Sequence, residues 1–219
     1  MLLGTKPVKP HLFRRRNCII EITMPRKIIF PFLCVVLAAC TEKPPFVPTT
    51  SVQQKDVEEQ AVYTAVLLKL YSASNYVIMD TTEISLTGMQ DMNSTLNHVL
   101  LNMHGVATET ADSFRTRNDL GYPLHLDMAI GAGYVLLSQK EKSQLFNQNQ
   151  DGWQLFYEHY PDAPGITALS RVGFNQSLDQ ALVYVGTQSQ WLAGSGYYIL
   201  LKKVNGIWVV DQQVMTWVS

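Results

Sequence analysis

Arg171, in the stretch ITALSRVGFN, is the sharpest polar feature of this 219-residue sequence. An arginine set among apolar residues needs a carboxylate or carbonyl partner, because its donors are costly to bury unpaired. Ser170 stands next to it with a hydroxyl. The two read either as an anion clamp in a pocket or, preferred, as a solvated or salt-bridged strand arginine, and Asp80 and Asp179 are the candidate partners. A second candidate surface is WLAGSG, residues 191–196. Gly194 and Gly196 suggest a special backbone path there, in a connection longer than a tight hairpin. Trp191 then reads as an exposed contact residue or as a cap folded back on the sheet, with Ser195 lying between the glycines.

Other chemistry finds little footing. His98, His104, His125 and His159 form neither an HExxH pair nor a Cys/His set, so no metal site is expected. There is no G-x-S-x-G elbow, no P-loop lysine and no G-x-G-x-x-G after a strand, and the lone GAG at 131–133 does not make one. The sequence therefore predicts no catalytic residue and no cofactor. Glu158 and Asp162 flank a helix end, and a glycosidase would need two opposed acids in a cleft.

The elements that would carry these residues follow from periodicity. Asp56, Glu58 and Glu59 suit a first helical turn, and Tyr63, Val66, Leu67, Leu70 and Tyr71 continue an amphipathic helix to about 72–75. YVIMDTT (76–82) reads as a strand. Met92, Leu96, Val99, Leu100 and Met103 mark a second helix stopped by Gly105. A short helix is expected over 110–118, and YVLL (134–137) is a strand or the approach to a helix. Ser138 with Glu141 fits a capping box for a helix to about Asn147, before the loop NQNQDG. Trp153, Phe156, Tyr157 and Tyr160 then form one aromatic helical face, read as core rather than as a ligand-stacking platform.

From Ile166 the chain turns to strands. Asn205-Gly206 between apolar runs predicts a two-residue hairpin pairing Val204 with Ile207, Lys203 with Trp208 and Leu201 with Val210. One face of it carries Tyr197, Ile199, Leu201, Trp208 and Val210, and the other Tyr198, Leu200, Val204, Ile207 and Val209. Both are apolar, so the sheet is covered twice, curls round an apolar interior or meets a partner. Helices followed by antiparallel strands predict an α+β fold, N-terminal helices packed on a C-terminal curved antiparallel sheet. The layout and the NGIWVV hairpin resemble the cone-shaped roll of the nuclear-transport-factor and cystatin-like superfamilies.

The first fifty residues give an address. Arg26-Lys27 precede an apolar run of about a dozen residues, far short of the ~20 that span a bilayer, and Ala38-Ala39-Cys40 ends it. Charge, short apolar core and small residues make a signal peptide over 24–39. Residues 1–23 read as an upstream extension, which leaves the start at Met1 or Met24 open. Leu37-Ala38-Ala39-Cys40 resembles the lipobox of bacterial lipoproteins. That resemblance implies a diacylglycerol on the Cys40 sulfur, Cys40 as the mature N-terminus, and a lipid anchor in the cell envelope. Thr41 after the cysteine resembles outer-membrane sorting, with the domain facing the periplasm. Residues 40–53, with Pro44, Pro45 and Pro48, read as a lipidated tether, and 54–219 as a single domain. That domain is long enough to bury a core without disulfides. The other two cysteines, Cys18 and Cys34, precede the processing site.

Residues 1–39 hold seven of the 17 basic residues and one of the 18 acidic ones, so the remainder carries ten against 17, a balance of −7. That charge disfavours nucleic acid. LSRVGFN, ALVYVG and GSGYYILL also resemble an uncharacterised family of exported bacterial proteins, a likeness that implies no activity. The expectation is a membrane-tethered, non-enzymatic interaction module with a protein partner in the envelope. The alternative is a small-molecule binder or small enzyme using a pocket inside the curved sheet. The acidic charge alone suggests a third role, inhibition of a basic host protein such as a lysozyme.

Overall fold

A computed structural model of the chain describes residues 52–71, 75–82, 92–126, 133–146 and 151–219. Residues 1–51 lie outside them, and with them the segments read as a signal peptide (24–39), a lipobox (37–40, with Cys40) and most of a tether (40–53), as do residues 72–74 and most of the NQNQDG loop. In chain order the elements are α1 (Val52–Leu70), β1 (Asn75–Met79), α2 (Met92–Asn102), α3 (Thr108–Arg117), β2 (Gly133–Leu137), α4 (Gln139–Phe146) and α5 (Gly152–His159). They are followed by β3 (Ile166–Leu169), β4 (Gly173–Phe174), β5 (Gln180–Gln190), β6 (Ala193–Val204) and β7 (Ile207–Val218). The fold is α+β.

The seven strands form one open sheet in the order β2-β1-β3-β5-β6-β7, with β4 beside β5. The C-terminal strands are antiparallel, as their hairpin spacing requires, but β1 runs parallel to both β2 and β3. A parallel pair needs a crossover rather than a turn, so this half of the sheet leaves no short-range signal. Helices cover both faces. On one, Val62, Tyr63, Val66 and Leu67 of α1 pack on Ile78, Val183, Val185, Ile199 and Leu201. On the other, Leu96 and Val99 of α2 and Phe114 of α3 meet Leu182, Tyr184, Tyr198 and Leu200, while α5 covers Val77, Met79 and Ile166. Double cover accounts for Tyr198 and Leu200 on the second face of the hairpin, while Val204, Ile207 and Val209 at its turn end stay exposed.

Local chemistry sets several boundaries. Asn205 and Gly206 form the expected turn with φ of 51° and 82°, and its register is the one the sequence dictates. Ser138 and Glu141 form the reciprocal capping box of α4. Trp153 and Phe156 are buried core residues, with Tyr157 and Tyr160 packed beside them. α1 starts at Val52, so the acids at 56, 58 and 59 fall in its second turn rather than its first.

Candidate functional site

Arg171 does not lie in a strand. β3 stops at Leu169 because Ser170 intercepts the ladder: its N–H donates to the Tyr184 carbonyl (3.0 Å), and its Oγ accepts the Tyr184 N–H (2.8 Å). The Asn118 side chain then pins Arg171, its Oδ1 accepting the Arg171 N–H (2.8 Å) and its Nδ2 donating to the Arg171 carbonyl (2.9 Å). At Gly173 the chain passes so close to α3 that a Cβ would lie 2.5 Å from Phe114 atoms. Neither the Asn118 clamp nor the Ser170 bond is visible in the text of 166–175.

The partners of Arg171 are Glu59 and Asp56, not Asp80 or Asp179. Arg171 Nε donates to both Glu59 oxygens (2.9 and 3.0 Å), and Nη2 reaches Glu59 (2.9 Å) and Asp56 (3.2 Å). Its guanidinium stacks on the Tyr122 ring at 4.8 Å. Glu59 is only 5% exposed. It also accepts from Arg117 Nη2 (3.0 Å), the Val172 N–H (2.7 Å) and the Tyr63 hydroxyl (3.1 Å). Burial reduces the tendency of Arg171 to hold its proton, but the Glu59 hydrogen bonds and charge outweigh it and raise its pKa. Burial, and then Glu59, push the Tyr63 hydroxyl well above the usual phenol range. Two arginines and two carboxylates neutralise one another, so the cluster is a clasp binding α1, α3 and the β3–β4 connection. The sequence signal for Glu59 was its place four residues before Tyr63 and seven before Val66, a carboxylate on the buried face of α1.

Trp191 and Leu192 are the two turn residues of the β5–β6 hairpin, with Gln190 opposite Ala193. The long loop expected at 191–196 is therefore a tight turn. Trp191 is 59% exposed, but its Nε1 donates to Asp151 Oδ1 (3.1 Å) and its ring meets Phe146 edge-on at 5.7 Å. Gly194 and Gly196 lie inside β6 for a different reason from loop geometry. A Cβ at either would strike the Trp217 ring, and at Gly196 the Tyr184 hydroxyl as well. Ser195 is half-buried between Thr187 and Val218 in the ladder. Ser170 and Arg171 lie together, while Trp191 and Ser195 belong to the hairpin further along β5. The four do not converge on one cavity.

A different surface does form an opening. An open groove of about 800 Å³ runs between α1 and the start of β7. Its α1 wall is a second stripe beside the buried one, Val57, Ala61, Ala65 and Leu68, at helical spacing. The β7 wall is Ile207, Trp208, Val209 and Val210. Val57 (66%) and Leu68 (56%) leave an exposed apolar rim on α1, of the kind that marks an interaction site. Ile207 and Val209, also exposed, border the groove along the β7 edge but alternate to the sheet face opposite Trp208 and Val210. Glu58 closes one end, bonded to Lys203 (2.6 Å) and to Trp208 Nε1 (2.7 Å). Lys69 stands at the other. The repeat at 57, 61, 65 and 68 is the signal of this second stripe in the sequence, beside the buried one that periodicity marks first.

Among the described residues no group of three or more His, Cys, Asp or Glu is placed to hold a metal ion, and no helix is long and apolar enough to cross a membrane. The chain matches no protein-family model, no curated protein and no solved structure.

Proposed function

We propose that the chain is a lipoprotein tethered through Cys40, facing the periplasm from the outer membrane, whose domain works as a non-enzymatic interaction module. One observation carries the choice of working surface: the apolar α1–β7 groove is open, with exposed Val57 and Leu68 on its α1 rim and the edge strand β7, residues 207–210, as its other wall. Arg171, the group on which a small-molecule or catalytic reading would depend, has its Nε and Nη2 taken by Glu59 and Asp56. The tether leads into α1 at Val52, and Val57 and Glu58 at that end of α1 already line the groove.

Two measurements test the reading. In fractionated cells the wild type sediments with outer membranes and Cys40→Ser is released; a soluble wild type refutes the anchor, and recovery with inner membranes refutes the sorting alone. A cysteine at Leu68 cross-links in intact cells to whatever fills the groove, while a cysteine at Leu120, exposed and outside it, does not. Cross-linking from Leu120 but not from Leu68 refutes the groove as working surface.

A further inference from the structure

We infer that the occupant of the groove is a second copy of this chain, its β7 lying antiparallel against β7 and its side chains entering beneath the α1 stripe. The inference rests on the groove being an interaction surface and names its partner.

β7 is a twelve-residue edge strand that pairs only with β6 among the described residues. A free edge presents unpaired backbone donors and acceptors, and soluble proteins commonly blunt such edges with charge, proline or bulges. The ladder irregularities of β7 fall after Val210, opposite Leu200/Leu201 and Gly196/Tyr197. Its first four residues, Ile207 to Val210, keep regular pairing and carry neither charge nor proline. The stripe on α1 lines the groove beside this unguarded stretch, so a strand added to β7 meets a hydrophobic roof already in place. Main-chain bonds along the edge with alternate side chains entering a pocket is the physics of strand addition.

The groove is also self-complementary under a two-fold axis. Small residues, Ala61 and Ala65, occupy the middle of the stripe, with Val57 and Leu68 at its ends. Two antiparallel copies of α1 therefore bring Val57 of one towards Leu68 of the other. The same operation brings Glu58, which already pairs with Lys203, towards the second copy's Lys69, a cation that forms no ion pair among the described residues. A two-fold repeats each favourable contact, which is why such interfaces recur. The nineteen residues of α1 span about 28 Å. A strip of that length and about 20 Å wide, a helix diameter plus two strand spacings, buries roughly 1,100 Å² over both copies. That slightly exceeds the ~1,000 Å² a specific interface needs, in the range of weak, reversible pairing. Confinement to a membrane would raise the effective concentration without any new contact.

The test uses the full chain in its membrane. No cysteine follows Cys40, so Ala61→Cys adds a single reporter to the domain, read with a short bismaleimide against wild type and Leu120→Cys. The expected result is a band at twice the monomer mass from Ala61→Cys alone. It should fall at least tenfold when Val209→Glu or, independently, Leu68→Glu is added, since both sites are exposed and tolerate charge in a folded monomer. A doubled band that survives both charges, or that Leu120→Cys gives equally, overturns the proposal. A band of any other mass overturns the second copy while leaving the groove as an interaction surface. No adduct from Ala61→Cys overturns both.

Discussion

The Glu59 carboxylate and the Arg171 guanidinium, 112 residues apart in the chain, meet through contacts of 2.9, 3.0 and 2.9 Å. Removing one half of such a pair leaves the other charged and buried, at a cost of about 3–5 kcal/mol. Glu59→Ala takes the buried carboxylate from two arginines at once and leaves them only the more exposed Asp56, so it should destabilise more than Arg171→Ala, which leaves Arg117 as a partner for Glu59. Urea unfolding of the two variants measures the order. Equal and small losses would show that the clasp is solvated.

Tyr198 gives the sign of the alkaline response. Burial, and then its neighbour Tyr184, raise its pKa above the ordinary phenol value of ~10. The unfolded chain releases that proton first as pH rises. The stabilisation is therefore complete below pH ~10 and is lost as pH climbs towards the folded-state value. Thermal melts of Tyr198→Phe should fall less steeply between pH 9 and about 11 than those of wild type. An identical slope removes Tyr198 from the account.

Asp151 serves two groups through one oxygen. Its Oδ1 accepts the Trp153 N–H as the N-cap of α5 and the Trp191 Nε1–H from the β5–β6 turn. Asp151→Ala should cost about 1–2 kcal/mol, more than Trp191→Ala. The double variant should cost less than the sum, because the shared bond can be lost only once. Strict additivity in a denaturation cycle would mean that the bond contributes nothing.

Two glycines separate steric from conformational cost. Gly196→Ala places a methyl against Trp217 and Tyr184, an overpacking costing about 1–3 kcal/mol. Gly206→Ala meets open space but must hold φ near +82°, at about 1 kcal/mol. Gly196→Ala should also alter near-ultraviolet circular dichroism through Trp217, and Gly206→Ala should not. A Trp217 signal unchanged in Gly196→Ala would place the ring elsewhere.

What the sequence disclosed depended on range. The Asn205-Gly206 turn, the Ser138–Glu141 box and the 153–160 aromatic stripe are decided by residues within a few positions of one another, and each is found where the pattern puts it. The placement of Arg171 is decided by Asn118 and Tyr184, which no local period brings into view. The same holds for β1, whose neighbours β2 and β3 lie beyond intervening helices. At 191–196 the composition pointed the wrong way. Trp-Leu is poor turn vocabulary, and the glycines that suggested a loop are there to admit a tryptophan from the next strand.

The bond from Trp208 Nε1 to Glu58 crosses 150 residues and joins the first described helix to the last strand. α1 also supplies one wall of the core that β5 and β6 complete, so it has no surface to settle on until the C-terminal hairpin exists. Closing so wide a loop gives no return in contacts until its far end arrives, which makes such topologies slow to assemble. A ribosome or a translocation pore releasing this chain from its N-terminus would therefore hand over α1 early and its partner strands last. In that interval the apolar stripe that ends up buried stands bare, open to chaperones and proteases alike. Truncation within β7 should on these grounds show itself first as degradation during synthesis, before any loss of function could be measured.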